Sequence, residues 1–141
     1  MKSTNKYSVF IVDDDEDDRE SIKDAFLENK HHYNYVFMSN GDQLLEYLVA
    51  NPPRENTLIL LDLNMPGKDG RDILKEIKNA RNLKPIPVIV LTTSSSERDK
   101  QTSYELGANC FVTKPDSYND LVDITNSIAK LWLVPQQGTI Y

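Results

Sequence analysis

Thr57-Leu58-Ile59-Leu60-Leu61-Asp62-Leu63-Asn64-Met65-Pro66-Gly67-Lys68-Asp69-Gly70 decides how this chain is read. Thr57 to Leu61 shows no polar alternation, the pattern of a strand covered on both faces. Just beyond Gly70 the period changes, and Ile73, Leu74 and Ile77 mark a helix from about Asp69 to Ala80. A doubly covered strand followed at once by a helix is the repeating unit of a parallel sheet.

The same pair recurs on either side. Tyr7 to Val12 precedes a helical segment from about Glu16 to Lys30 with Ile22, Ala25 and Phe26 on its apolar face. Tyr33 to Met38 precedes Gly41 to Ala50, where Leu44, Leu45 and Leu48 form a stripe that Pro52 and Pro53 end. Pro87 to Leu91 leads into Glu97 to Leu106, closed by Gly107, and Asn109 to Val112 leads into Ser117 to Leu133. Right-handed crossovers between parallel strands place helices on both faces, so five β-α units predict a three-layer α/β/α fold. In such sheets ligands bind beyond the carboxyl ends of the strands. That edge collects Asp13 and Asp14 after the first strand, Asp62 after the third, Thr92 at the end of the fourth and Lys114 two residues past the fifth.

Composition sets the outer bounds. The chain has 141 residues, read as a single domain spanning 1–141, with a core of about 7–134 and a polar tail over 135–141. Its 16 Lys plus Arg oppose 22 Asp plus Glu for a net charge of -6, and the whole excess is the unbroken run Asp13 to Asp18. With no basic excess there is no electrostatic reason to expect nucleic acid. The single Cys110 cannot form an internal disulfide, and no apolar string approaches a membrane span. The expectation is a cytoplasmic protein without nucleic-acid or membrane contact.

Carboxylates gathered at one edge repel, by roughly 4 kcal/mol for a pair 4 Å apart at an effective dielectric of about 20. They call for cations: Lys114 is one, and Mg²⁺, which takes carboxylate and phosphate oxygens, is the natural other. Carboxylates, Mg²⁺, an ammonium and a hydroxyl suit a phosphoryl group, with Asp62 as nucleophile. Milder readings apply to neighbouring residues. Glu16, Asp17 and Asp18 favour a helix's first turn through the macrodipole, and Asp15 suits its N-cap. A Ca²⁺ loop is disfavoured, because Asp18 stands where the sharp turn wants Gly. His31 and His32 read as solvent-exposed and Cys110 as an ordinary strand residue.

Val12-Asp13-Asp14, Leu61-Asp62-Leu63-Asn64-Met65-Pro66-Gly67-Lys68-Asp69-Gly70, Val90-Leu91-Thr92-Thr93 and Phe111-Val112-Thr113-Lys114-Pro115 together resemble the signature of two-component response-regulator receiver domains. The resemblance covers about Tyr7 to Leu133. Ile86 to Ser94 and Ser103 to Phe111 further resemble the single-domain subgroup that partners phytochrome-type sensor kinases. This implies a flavodoxin-like strand order 2-1-3-4-5 with five helices. It implies that Asp62 accepts a phosphoryl group from the phosphohistidine of a sensor histidine kinase. Asp13, Asp14, Asp62 and the backbone carbonyl of Asn64 would hold Mg²⁺, Lys114 would pair with the phosphoryl oxygens, and Thr92 with Phe111 would form the switch. The Lys114-Pro115 bond would be cis. Phe111, where Tyr is frequent, and Thr93, where a smaller residue is common, alter the surface a partner meets.

The function expected is a stand-alone response regulator that signals through protein contacts, its only enzymatic capacity being self-catalysed phosphotransfer and dephosphorylation. A haloacid-dehalogenase-type phosphatase also uses an Asp nucleophile but needs a second Asp two residues on, where this chain has Asn64. A non-phosphorylated receiver-like interaction module is the remaining alternative, and the five acceptor-site residues argue against it. On the last helix Leu121, Val122, Ile124, Ile128 and Leu131 form the expected core stripe. Trp132, Leu133 and Val134 add apolar bulk that forms either an interface patch or a cap on the sheet's edge, and the subgroup resemblance implies a homodimer through this region.

Overall fold

The computed structural model describes residues 7–52 and 56–133. Strands and helices alternate: β1 (Ser8–Val12), α1 (Glu16–Glu28), β2 (Asn34–Met38), α2 (Gly41–Ala50), β3 (Thr57–Leu61), α3 (Gly70–Asn79), β4 (Val88–Thr92), α4 (Glu97–Glu105), β5 (Cys110–Thr113) and α5 (Tyr118–Trp132). All pairings are parallel and the order is β2-β1-β3-β4-β5, as expected. β4 and β5 each run one residue beyond the expected end, so Thr92 and Thr113 belong to the ladder and pair with each other.

Alternation along the strands sorts the apolar side chains into two cores. Phe10, Val12, Ile59, Leu61, Val88 and Val90 face Leu44, Leu48, Ile73, Leu74 and Ile77 of α2 and α3. Val9, Ile11, Leu58, Leu60, Ile89 and Leu91 face Ile22, Phe26, Ile128 and Ala129 of α1 and α5. β3 and β4 are buried throughout, which is why their sequences do not alternate. Each helix starts on a side-chain cap: Asp15, Asn40, Asp69, Ser96 and Ser117 accept backbone N–H bonds from the first turn.

Three expectations are corrected. Leu131 is 74% exposed, because the inward face of α5 is centred on Thr125, Ile128 and Ala129, with Ile124 only partly buried at its edge, and Leu131 projects beyond that edge. Of the two readings of the helix end, Leu133 fits the cap, buried in this core, while Trp132 packs only partly against it. His31 is half-buried rather than exposed: its ring stacks on Tyr33 (5.9 Å between centroids, 4° between planes) and its Nε2 lies 2.9 Å from Asn126 Oδ1. The turn after α1 tucks it against α5. No peptide bond among the described residues is cis, so Lys114–Pro115 is trans, the lower-energy isomer of an X-Pro bond. Val134 and the tail over 135–141 lie outside the described residues.

Candidate active site

Register fixes the acidic edge. Val12 pairs with Leu61, so the residues that follow them, Asp13 and Asp62, leave the sheet side by side. Their backbones stay in the ladder: the Asp62 N–H donates to the Val12 carbonyl and the Asp13 N–H to the Met38 carbonyl, both at 3.0 Å. Gly70, at the start of α3, sits directly beneath. A Cβ there would overlap the Asp62 carbonyl oxygen and Leu63 Cα, so only glycine lets α3 approach the strand end this closely.

Asp13, Asp14 and Asp62 each offer a carboxylate oxygen within 4.8 Å of the others. Asp13 and Asp62 are buried and Asp14 is exposed, so the cluster is open to solvent on one side. Lys114 reaches it from the end of β5, where its N–H donates to the Thr92 carbonyl at 2.6 Å. Its Nζ donates to Asp13 Oδ2 at 2.6 Å and to Asp18 Oδ2 at 2.8 Å, and lies 3.7 Å from Asp62 Oδ2. Burial works against this ammonium, but the hydrogen bonds to Asp13 and Asp18 and the charges of Asp13 and Asp62 outweigh it and raise its pKa. Asp13 moves up as well, because burial of its carboxylate outweighs the bonds from Lys114 and the Asp15 N–H. The two directions have separate causes: Lys114 gains from its partner acids, whereas Asp13 is a poorly solvated carboxylate that one lysine does not fully offset.

Thr92 is fully buried at the end of β4. Its Oγ1 accepts long contacts from Asn64 Nδ2 (3.4 Å) and the Ser94 N–H (3.5 Å), while the Asn64 N–H donates to Asp62 Oδ1 at 3.3 Å. Thr92 is thus joined to Asp62 through Asn64. Phe111 is not brought to the acids: it is half-buried in β5, packed against the α2–α3 core, and its N–H donates to the Tyr104 hydroxyl at 3.1 Å.

Other contacts were not legible as site features. Asp18, read only as a helix-start acid, is a partner of Lys114. Arg19 Nη1 donates to the Asp13 carbonyl at 2.7 Å. A further network leaves the site: the Ser94 hydroxyl donates to Asp99 Oδ2 at 2.6 Å, and Arg71 binds Asp99 Oδ1 at 2.6 Å and both oxygens of Asp69 at 2.9 and 3.0 Å. The Ser94 and Arg71 hydrogen bonds hold the Asp99 carboxyl below its ordinary value.

Residues 9–126 match the family described as response regulator receiver domain. The chain belongs to this family. The receiver is 38% identical over 130 residues to response regulator Rcp1 of Synechocystis sp., covering 89% of this chain and 88% of that protein. Among solved structures it resembles the phosphorylated cyanobacterial phytochrome response regulator RcpA, with a TM-score of 0.83, 39% identity, and 91% of this chain and 94% of that one covered. It also resembles the Mn²⁺-bound form of Rcp1, with a TM-score of 0.81, 36% identity, and 96% and 99% covered. As a receiver it serves phosphorelay signalling, and its acidic pocket is compatible with aspartate phosphorylation. No helix among the described residues is long and apolar enough to cross a membrane.

Proposed function

We propose that this receiver is a cytoplasmic response regulator phosphorylated on Asp62 by a sensor histidine kinase of the phytochrome type. The observation that carries the reading is the under-compensated acid cluster: Asp13 held raised by burial, with Asp14 and Asp62 beside it and one shared lysine. Such a donor set fits a hard divalent ion, because its oxygens are close, anionic and open on the Asp14 side. Asp13, Asp14, Asp62 and the Asn64 carbonyl would hold Mg²⁺. When bound it would neutralise part of the charge on the phosphoryl oxygens. The likeness to a response regulator crystallised with Mn²⁺ supports this.

In the transfer, an Asp62 carboxylate oxygen forms the new bond to phosphorus. The phosphorus–nitrogen bond to the donor histidine breaks, and the imidazole leaves with the electron pair. Lys114, already 3.7 Å from Asp62, moves from its partner acids to an equatorial oxygen, and Thr92 donates its hydroxyl to another. Phe111 follows Thr92 inward and changes the surface read by a target protein. The chain's chemistry is limited to accepting and losing this group.

We further propose that a second copy of the chain covers the strip between edge strand β5 and α5. A groove of about 250 Å³ lined by Cys110, Val112, Ile124, Ile128 and Trp132 lies beside protruding Leu131. A knob next to a hole on one surface is self-complementary about a two-fold axis.

Incubation with acetyl phosphate and Mg²⁺, followed by intact mass, tests the acceptor. One phosphate adduct is expected in the unaltered chain and none in Asp62→Asn; an adduct that survives the substitution, or no adduct at all, refutes the assignment.

A further inference from the structure

We propose that Arg71 and Asp99 form a latch that holds the β4–α4 loop in its phosphoryl-free position and thereby sets how readily Thr92 can engage a phosphoryl group. The latch rests on Asp62 being the acceptor. Thr92 ends β4 two residues before Ser94, whose N–H lies 3.5 Å from its Oγ1, so the position of the loop that starts there bears on any advance of Thr92. Ser94 is pinned on every side. Its hydroxyl donates to Asp99 at 2.6 Å and accepts from the Ser96 N–H at 3.2 Å, and its carbonyl accepts from the Thr113 hydroxyl at 2.9 Å.

Asp99 lies in the first turn of α4, so the Ser94–Asp99 bond joins the loop to that helix as one unit. Thr113 and Phe111 tie the unit to β5 through the Ser94 carbonyl and the Tyr104 hydroxyl, and on the α3 side it is tied by Arg71. This side chain grips both oxygens of Asp69, the N-cap of α3, and reaches across to Asp99 at 2.6 Å. The Arg71 and Asp99 side chains are 27% and 25% exposed, which places this pair among partly buried, multiply bonded ones rather than freely solvated ones. α4 has little apolar anchorage, since Ser103 is its one buried residue. Arg71 touches neither Asp62 nor Lys114 and is a positioning residue: it biases the loop's resting state, and a resting state stabilised by a given factor weakens the phosphoryl-bound one by the same factor.

The test is the affinity of the Mg²⁺-loaded protein for beryllofluoride, a phosphoryl mimic, measured by calorimetry beside each variant's unfolding midpoint. Arg71→Gln and Asp99→Asn should each tighten binding by about fivefold, and the double variant no further than either alone. Arg71→Lys, which can keep one contact to Asp99, should lie close to the unaltered chain. Unchanged or weaker binding in variants that remain folded, or additive effects in the double variant, overturns the latch alone. Should Arg71→Gln not fold, Asp99→Asn and Arg71→Lys decide on the same criterion. Failure of the unaltered protein to bind beryllofluoride overturns the acceptor reading and the latch with it.

Discussion

Asp13 carries two opposed demands: it is 2% exposed and so poorly solvated, yet it must stay ionised to hold cations. Its raised pKa means that the folded state binds more protons than the unfolded one between the two pKa values. Its contribution to stability therefore falls as pH rises through that interval. Without divalent ions, Asp13→Asn should raise the unfolding midpoint at neutral pH by a few degrees, about 1 kcal/mol. The gain should shrink as the pH falls toward the unfolded value, and thermal scans with chelator at several pH values measure it. Asp18 holds Lys114 from the other side with a side chain 43% exposed. Exposure limits such a pair to about 0.6 kcal/mol, so Asp18→Asn should speed phosphorylation by acetyl phosphate nearly threefold as Lys114 is freed toward Asp62. A slower rate would mean that Asp18 places the lysine usefully.

Among the elements, α3 has a steric requirement that no side-chain movement relieves, because its first residue meets the backbone of the strand end it supports. Gly70→Ala should destabilise the protein by about 2 kcal/mol and slow acceptor chemistry by displacing Asp62. Denaturant unfolding and the phosphorylation rate report the two effects separately. The elements themselves were legible in the sequence, since period and capping are local: Thr57 to Leu61 announced burial on both faces, and Asp15 announced the start of α1. Strand ends were legible to within a residue, and with them the placement of Asp13, Asp14, Asp62, Thr92 and Lys114 at one edge. Contacts between distant elements were not. Arg71 and Asp99 are 28 residues apart, and nothing in the period of α3 or α4 pairs them. Leu131 was misplaced for a related reason, since several apolar residues on α5 could form a stripe and only its angle of approach to the sheet selects one.

At the scale of the whole molecule, the two cores separated by the sheet leave the α5 strip as a surface apart from the acidic edge. Leu131→Lys should change folding stability by less than about 0.5 kcal/mol, because the side chain is already in water. The same change should abolish self-association seen by sedimentation of the beryllofluoride-treated protein. A dimer that persists in the variant, or a monomer in the unaltered chain, would leave the strip unassigned. The -6 charge also takes a local meaning at this scale, since Asp13 and Asp18 both surround Lys114 and Asp14 completes the open side of the cluster.

The single buried residue of α4 has a mechanical meaning. Displacing most helices of this domain would open a core to water, whereas α4 is fastened largely by polar contacts along its rim. A signal that leaves the acidic edge through α4 therefore does little work against hydrophobic cohesion. Moved in that way, α4 would change the domain's outward face while both of its interiors stay shut.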